Sequence, residues 1–291
     1  MKPSDFPSLA GKVALVTGGS RGIGRAIAQR MATAGATVVV TARSLDSAKR
    51  EPGTLRETVA LIEANGGRAL ALAADLEDAR AREELVPRAV AAAGHLDILV
   101  NNAGYAEYAA IADMSDATFD RTLDHYLRAP FVLARAAIPQ MKARGAGWIV
   151  NVGSVTALAP VRPYGWFDAN GGSTLYAAVK AALNRFTQGL AAELLASRIA
   201  VNLIAPSTAI ATPGAARYIP SDYPTEDAAY LAECALQLCH LPAAERTGLV
   251  AHSMHLPAAL GFRVLSPDGK RELPPAVPPA ASHPGIVATG E

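Results

Sequence analysis

The chain has 291 residues, of which 51% are apolar and 18% are charged, and its formal net charge is +1. This composition is sufficient for a large buried core, so it excludes wholesale disorder. A near-neutral chain also lacks the basic excess of a nucleic-acid-binding surface, so we expect no nucleic-acid partner.

The cysteines and the apolar runs of the sequence bear on disulfide bonds, secretion and membrane insertion. Cys234 and Cys239 are too few for a disulfide framework and lack the CxxC spacing of a zinc knuckle, so we expect two buried apolar side chains. The N-terminal segment lacks the apolar stretch of a secretory signal, and no apolar run is long enough to span a membrane. We therefore expect a cytoplasmic protein with no membrane partner.

Apolar, β-branched runs alternate with helical stretches along the chain. The runs predict strands over 12–17, 37–41, 68–74, 97–100, 148–152 and 199–204, with a short one near 248–252. The stretches between them predict helices over 23–34, 54–65, 79–93, 116–143, 175–196 and 225–240. Pro130 must kink the longest of these helices or start a turn of it. The alternation predicts an α/β fold with a single Rossmann-like doubly wound parallel sheet and helices on both faces. Ligands of such sheets bind outside the carboxyl ends of the strands.

The last stretch of the chain differs in composition from the rest. Residues 273–291 contain five prolines and no apolar periodicity. We expect either an irregular tail or an arm that lies on a neighbouring subunit. The chain is therefore divided into one domain over 1–272 and a Pro-rich tail over 273–291.

A glycine-rich turn follows the first predicted strand. Thr17 is followed by Gly18, Gly22 and Gly24 in a G-x-x-x-G-x-G spacing, and a predicted helix begins directly behind them. Glycines let the backbone turn sharply and approach a pyrophosphate, and the free N–H groups of the helix point at that phosphate. A glycine cluster alone could be an ordinary strand-to-helix connection. The strand before it and the helix after it favour dinucleotide binding.

Four motifs in chain order resemble those of the short-chain dehydrogenase/reductase family. The glycine turn is similar to its TGxxxGxG signature, residues 101–104 to its NNAG motif and residues 176–180 to its YxxxK motif, and Ser154 falls where the family has its active-site serine. The resemblance spans residues 12 to about 212 and makes 1–272 an NAD(P)-binding domain with a substrate loop and a lid. It implies a cofactor site formed by Gly18, Ser20, Arg21, Gly22, Ile23, Gly24, Arg43, Asp75, Leu76, Asn102, Ala103, Gly104, Tyr176, Lys180 and Thr212.

The end of the second predicted strand indicates which nicotinamide dinucleotide is preferred. An acidic residue there would accept a hydrogen bond from the ribose 2′-hydroxyl of NAD, but this sequence has Ala42 followed by Arg43. A guanidinium binds a 2′-phosphate in bidentate fashion, and Arg21 supplies a second positive charge nearby. We therefore expect NADP(H) rather than NAD(H), the alternative being two ordinary surface arginines.

Tyr176 and Lys180 are four residues apart in a predicted helix and therefore share one face. The resemblance implies that Tyr176 exchanges a proton with a carbonyl or alcohol oxygen, that Ser154 hydrogen-bonds the same oxygen, and that Lys180 holds the nicotinamide ribose. A free phenol has a pKa of about 10, and we expect the ammonium and an oxidised nicotinamide to lower the pKa of Tyr176. The implied reaction is NADP(H)-dependent interconversion of a ketone or aldehyde and an alcohol.

Two positions depart from the family pattern. Tyr126 stands where the family usually has an asparagine that is thought to hold a water beside the lysine, and a phenol either holds water through its hydroxyl or fills the space. His125 is one residue away and should point elsewhere. Ser207 replaces a glycine after Pro206 and lacks its freedom at positive φ, so we expect the loop under the nicotinamide to differ. An alternative function is therefore a catalytically weak or inactive NADP(H)-binding sensor or interaction protein.

The gap between Ser154 and Tyr176 is 22 residues, longer than is common in the family. The added loop contains Tyr164, Trp166 and Phe167. These aromatics predict either an apolar wall for a bulky or cyclic substrate, or packing of the loop on its own protein or a subunit neighbour. We also expect the loop over 218–223 and the helix over 225–240 to form a mobile lid.

Three further predictions concern a metal site, the oligomeric state and an alternative family. His240, His252 and His255 are not grouped like zinc ligands, so we expect no metal site. The resemblance implies a homodimer or homotetramer formed through the helices at 116–143 and 175–196. A nucleotide-sugar epimerase or dehydratase also has a YxxxK pair, but the glycine spacing and the lack of a large domain after the sixth strand disfavour it.

Overall fold

The computed structural model describes residues 6–46, 53–105 and 107–291, and a seven-stranded parallel sheet lies at its centre. The strands are β1 (Val13–Thr17), β2 (Thr37–Ala42), β3 (Arg68–Ala73), β4 (Ile98–Asn101), β5 (Gly147–Val152), β6 (Ile199–Ala205) and β7 (Val250–His252). Their order in the sheet is β3-β2-β1-β4-β5-β6-β7, and every neighbouring pair is parallel. The order reverses between β1 and β4, so the carboxyl ends of these strands frame a crevice.

Helices cover both faces of the sheet. They are α1 (Gly22–Thr33), α2 (Leu55–Ala64), α3 (Ala79–Ala93), α4 (Asp116–Leu123), α5 (Ala129–Arg144), α6 (Trp166–Asn170), α7 (Thr174–Leu194), α8 (Ala228–Gln237) and α9 (His255–Leu260). One apolar layer packs α1 and α8 on the sheet and includes Ile27 and Leu231, together with the free, buried Cys234 and Cys239. The opposite layer includes Leu133 of α5. The predicted doubly wound α/β fold is confirmed.

The helix predicted over 116–143 is divided by a wider turn. α4 ends at Leu123, a π-helical turn covers Asp124–Arg128, and α5 continues from Ala129. Pro130 has no N–H to donate, and in a regular α-helix its ring would clash with the carbonyl four residues earlier. The π turn directly before it avoids that clash and places Tyr126 in the interior, where it is 7% exposed.

α8 differs from its predicted role. Nine of its ten residues, all but Ala228, are buried. Arg30 of α1 forms an ion pair with Glu233 of α8, with Nε 2.6 Å from Oε2, and both side chains are buried. The lid prediction is therefore wrong for this helix, because a helix packed on all sides and tied to the core by a buried ion pair does not swing outward. The loop before it, over 211–224, lies mostly at the surface.

Candidate active site

The turn between β1 and α1 leaves little room for side chains at its glycine positions. Gly18 and Gly22 have φ of 67° and 54°, a conformation that favours glycine. A Cβ on Gly24 would lie 2.3 Å from the Gly18 carbonyl oxygen and 2.4 Å from Asn102 Nδ2. Thr212 closes the turn from another side, with its Cγ2 3.1 Å from where a Cβ on Gly22 would be. Because free N–H groups of the first turn of α1 face this space, it fits the pyrophosphate of a dinucleotide.

Thr17 links this turn to the motif after β4. Its hydroxyl accepts hydrogen bonds from the backbone N–H groups of Asn102 and Ala103, both at 2.9 Å, and donates one to the Val100 carbonyl at 3.2 Å. The Nδ2 group of Asn102 donates back to the Thr17 carbonyl at 2.8 Å. The two predicted cofactor motifs are thus one hydrogen-bonded unit at the carboxyl ends of β1 and β4.

A cavity of about 1750 Å³ runs along this edge of the sheet. It exceeds the volume of roughly 300–1,000 Å³ that is usual for a single ligand, so it has room for a dinucleotide and a second molecule. Ser154 lines it, as does each residue predicted for the cofactor site: Gly18, Ser20, Arg21, Gly22, Ile23, Gly24, Arg43, Asp75, Leu76, Asn102, Ala103, Gly104, Tyr176, Lys180 and Thr212.

A charged cluster that the sequence did not predict surrounds Glu77, after β3. His125 Nε2 lies 3.1 Å from Oε1 of Glu77, and Arg121 Nε lies 3.4 Å from Oε2. The hydrogen bond from His125 lowers the pKa of Glu77 most, and the charges of Arg121, His125 and Arg43 lower it further. No motif contains these residues, and they come together only because the loop after β3 faces α4 and the π turn. His125 therefore points away from Lys180, as its helical position predicts.

The side chains of Ser154, Tyr176 and Lys180 meet where β5 ends beside α7. The Ser154 hydroxyl hydrogen-bonds with Thr156 Oγ1 at 2.8 Å, and it lies close enough to the Tyr176 phenol to lower the pKa of that phenol. Lys180 is 4% exposed and donates from Nζ to the Val152 carbonyl at 2.7 Å. Its Nζ lies 5.7 Å from the centre of the Tyr176 ring. The fold thus brings together three groups that are up to 26 positions apart in the sequence.

Burial shifts the acidity of both members of the Tyr176–Lys180 pair. Burial raises the pKa of Tyr176 to about 12, and the hydrogen bond with Ser154 opposes that rise. Burial also lowers the pKa of Lys180 to about 7. The lowering expected from the sequence involves a bound oxidised nicotinamide; in the protein alone, desolvation disfavours both the phenolate and the ammonium that would stabilise it. Tyr176 therefore keeps its proton at neutral pH.

Tyr126 fills the space beside the lysine. Its ring centre lies 4.3 Å from Nζ of Lys180 and 5.2 Å from the ring centre of Tyr176. Its hydroxyl donates to the backbone carbonyl of Tyr105. The sequence leaves open whether Tyr126 holds a water through its hydroxyl or fills the space beside Lys180. In the structure its ring fills that space. A Cβ on Gly104 would lie 2.4 Å from this ring, so the position facing it requires glycine.

Ser207, after β6, does not need the conformational freedom of glycine. Among the non-glycine residues in the described part of the chain, positive φ occurs at Arg198 alone. The Ser207 N–H donates to Oε1 of Glu226 at 3.1 Å and to Oγ of Ser253 at 3.0 Å, and its hydroxyl hydrogen-bonds with Nδ1 of His255 at 2.9 Å. Burial raises the pKa of Glu226 to about 7. Side chains that the sequence reasoning missed thus hold this loop to the residues after β7.

The aromatic residues of the added loop divide into two groups. Trp166 and Phe167 line the cavity. Tyr164 is not among its lining residues in the described ranges: it is 54% exposed, and its hydroxyl accepts a hydrogen bond from Arg162 Nε at 3.1 Å. Tyr164 therefore lies outside the wall, with its side chain beside Arg162, whereas Trp166 lines the cavity although it is 71% exposed.

Tyr108 is a wall residue that the sequence reasoning missed. Its ring centre lies 5.3 Å from that of Tyr176, 4.6 Å from that of Tyr218 and 6.3 Å from that of Phe167. The sequence signal for it is its position four residues after Gly104, at the end of the NNAG-like motif. It extends the aromatic surface from the added loop to Tyr176.

The histidines singled out from the sequence do not form a metal site. Within residues 6–46, 53–105 and 107–291, no group of three His, Cys, Asp or Glu side chains is placed to hold a metal ion. The rings of His252 and His255 are 6.3 Å apart, and His240 Nδ1 is 3.0 Å from the Gln237 carbonyl. Within the same ranges, no helix combines the length and the apolar character needed to cross a membrane.

Solved structures resemble the whole fold. A metagenomic short-chain oxidoreductase in complex with NADP is 32% identical, with a TM-score of 0.67 over 82% of this chain and 95% of that chain. A 7α-hydroxysteroid dehydrogenase complexed with NADH and 7-oxo glycochenodeoxycholic acid is 31% identical, with a TM-score of 0.73 over 85% of this chain and 94% of that chain. The fold and the cavity thus define an NAD(P)-dependent dehydrogenase or reductase.

Sequence comparison assigns the family. The short chain dehydrogenase family matches residues 12–218. An uncharacterized oxidoreductase of Thermotoga maritima is 37% identical over 198 residues, which are 68% of this chain and 72% of that protein. The chain belongs to the short-chain dehydrogenase/reductase family.

Proposed function

We propose that the protein interconverts a ketone or aldehyde and an alcohol with NADP(H). The observation that carries this proposal is that Ser154, Tyr176 and Lys180 face the same cavity as the glycine turn. The lack of room for a Cβ on Gly24 supports a site where a phosphate approaches the backbone. A carbonyl compound placed beside the nicotinamide would then contact the tyrosine and the serine together.

Tyr176 is the proton donor of the reduction direction. It keeps its proton at neutral pH because burial raises its pKa to about 12, and it would protonate the carbonyl oxygen that Ser154 orients. NADPH, when bound, supplies the hydride. Lys180 would hold the ribose hydroxyls, and with a pKa of about 7 its amine can gain or release a proton near neutral pH.

Two arginines support a preference for NADP(H). Arg21, in the glycine turn, and Arg43, after β2, line the same cavity. A 2′-phosphate beside them would form charge-assisted, bidentate hydrogen bonds. One of the similar structures contains NADP and the other NADH. The preference proposed for NADP(H) over NAD(H) therefore rests on Arg43, directly after β2 in this chain, and not on those structures.

The aromatic walls support a bulky or cyclic substrate. Tyr108, Trp166, Phe167 and Tyr218 line the cavity with Tyr176, and ring faces of this kind bind flat apolar groups. The similar hydroxysteroid dehydrogenase was solved with 7-oxo glycochenodeoxycholic acid. We therefore propose a ketone or alcohol whose reacting carbon belongs to, or adjoins, an apolar ring.

We further propose a cytoplasmic homodimer or homotetramer with a catalytic domain over 1–272 and a Pro-rich tail over 273–291. Phe119 of α4 and Phe131 of α5 are each 46% exposed, and such apolar side chains on neighbouring helices favour a subunit interface. Size-exclusion chromatography with light scattering would measure the assembly, and a monomer at micromolar concentration would contradict it.

Fluorescence titration with NADPH, followed by a screen of carbonyl compounds for NADPH oxidation, tests the reaction. Tyr176→Phe should lower kcat by about 10²–10⁴-fold, the usual contribution of a positioned acid, with little change in NADPH affinity. Tyr164→Phe removes the same hydroxyl from an exposed tyrosine outside the cavity and should change neither value. Turnover that survives in Tyr176→Phe would refute the role given to Tyr176.

A catalytically weak NADP(H)-binding sensor is the second candidate function. Tyr126 favours it, because its ring covers one side of Lys180 and its hydroxyl is held by the Tyr105 carbonyl. A proton route along that side of the lysine is therefore closed. Tight NADPH binding without turnover of any carbonyl or alcohol in the same screen would favour this alternative.

A further inference from the structure

The C-terminal segment over 273–291 folds back along its own chain and is anchored near both ends. The Leu273 N–H donates to the Val264 carbonyl at 2.8 Å. The Gly290 carbonyl accepts from the N–H of Val250, the first residue of β7, also at 2.8 Å. Between these anchors the segment reaches the carboxyl edge of the sheet, where residues 281–284 line the cavity.

Four consecutive residues of this segment, 281–284, line the cavity and are named the strap here. Within the strap, His283 Nε2 lies 2.9 Å from the carbonyl of Ala159. Ala159 belongs to the added loop between Ser154 and Tyr176, which covers 155–173 and is called the substrate loop from here on. The Gly285 N–H donates to Nδ1 of His283 at 3.0 Å. Because Nδ1 accepts, the hydrogen lies on Nε2, and a neutral imidazole donates to the substrate loop.

The strap borders the substrate end of the cavity. The loop that it contacts follows β5, whereas Arg43 and the glycine turn follow β2 and β1 on the other side of β4 in the sheet order. The same loop carries Trp166 and Phe167, and Phe167 meets the ring of Tyr108 edge-on. A substrate that extends from Tyr176 toward this loop thus lies between aromatic rings and the strap.

We propose that the strap sets the size preference for the substrate and that His283 is a positioning residue that holds the substrate loop in place. This inference rests on the proposed carbonyl reduction. A two-ring ketone reaches from Tyr176 under the loop and gains apolar contact there. A one-ring ketone extends less far along the loop, so it should depend less on the hydrogen bond of His283.

Two cyclic ketones, cyclohexanone with one ring and trans-decalone with two fused rings, are matched probes for the NADPH-loaded enzyme. His283→Ala should raise the KM for decalone by about fivefold, the effect of one lost hydrogen bond. The KM for cyclohexanone, kcat and the affinity for NADPH should stay unchanged. His283→Gln should restore most of the loss, because its amide can donate to Ala159. His95→Ala removes an imidazole outside the cavity, beside Asp97, and is the control.

Binding can also be measured without turnover. The chain has two tryptophans: Trp166 lines the cavity, and Trp148 is 7% exposed, with Nε1 bonded to the Leu241 carbonyl. Adding decalone to the NADP⁺-loaded protein should change the Trp166 fluorescence, with a Kd about fivefold higher in His283→Ala.

The outcomes separate this inference from the proposed reaction. Equal changes for both ketones, no effect of His283→Ala, or no fluorescence response of the parent protein to decalone would overturn the role of the strap. Decalone binding that weakens in His283→Ala, without oxidation of NADPH by any carbonyl, would support the strap and refute the reaction alone.

Discussion

Replacing Gly24 by alanine should displace the glycine turn and weaken NADPH binding. The new Cβ would lie 2.3 Å from the Gly18 carbonyl oxygen and 2.4 Å from Asn102 Nδ2, whereas ordinary contacts begin at 3.4 Å. About 1 Å of separation must therefore be gained between backbone segments that Thr17 joins by hydrogen bonds, and overpacking of this kind costs about 1–3 kcal/mol.

The same displacement moves the N–H groups that would face the phosphates. A hydrogen bond to a charged group contributes about 1.5–3 kcal/mol, so misplacing one should raise the Kd for NADPH roughly 10- to 100-fold. Fluorescence titration with NADPH measures the affinity, and urea unfolding of the same preparation measures the stability. A folded variant with weakened NADPH binding is the expected result.

Gly189→Ala in α7 is the matched control. Its Cβ would meet only the end of the flexible Arg185 side chain, at 3.2 Å. Alanine is favoured over glycine inside a helix by about 0.5–1 kcal/mol, so this variant should keep its NADPH affinity and equal or exceed the parent in stability. Unchanged NADPH affinity in Gly24→Ala would refute the reasoning that this turn holds the pyrophosphate.

Three further changes test the electrostatics. Arg43→Asp should move the ratio of NADPH to NADH affinity toward NADH by about tenfold or more, measured by fluorescence titration; an unchanged ratio would contradict the NADP(H) preference. Glu233→Gln should lower the free energy of unfolding in urea by about 3–5 kcal/mol, because it leaves the buried Arg30 charge uncompensated. The same change at Glu57, in an exposed pair, should cost less than about 1 kcal/mol, and equal losses would contradict the argument. Burial raises the pKa of Glu226 from 4.5 to about 7, so the native state holds more protons between these values and stability falls as pH rises through them. Glu226→Gln should remove that part of the fall in stability with pH. If the free energy of unfolding has the same slope against pH in the parent and in the variant, the argument is contradicted.

The sequence is sufficient for features that are encoded locally. The strands are mostly apolar, although β5 and β6 each contain an asparagine, so the sheet and its helices follow from periodicity and from the glycines at their ends. The glycine turn and the pair of Tyr176 and Lys180 could be predicted because their members are adjacent or share one helix face. Ser154 could be placed because it lies two residues after β5, where the short-chain dehydrogenase/reductase family has its active-site serine.

Features that depend on distant parts of the chain could not be predicted in this way. Tyr108 belongs to no motif, and its place in the wall depends on Tyr218 and the added loop. α8 is buried against α1, and its packing there and the ion pair between Arg30 and Glu233 join parts of the chain that are far apart in the sequence. The rise of the Tyr176 pKa in the protein alone could not be predicted from the sequence, because a count of neighbouring charges omits the cost of removing the phenolate from water.

The hydrogen bonds of Thr17 limit which residues can be changed to alter the preference between NADPH and NADH. Its hydroxyl uses its donor and both acceptor positions, on Val100, Asn102 and Ala103. A valine of similar shape would leave two amides unsatisfied and perturb both motifs at once. Arg43 is exposed and lies outside this unit. With the coenzyme bound as proposed, a substitution at Arg43 would therefore alter the contact with the ribose 2′ position and leave the hydrogen bonds of Thr17 intact.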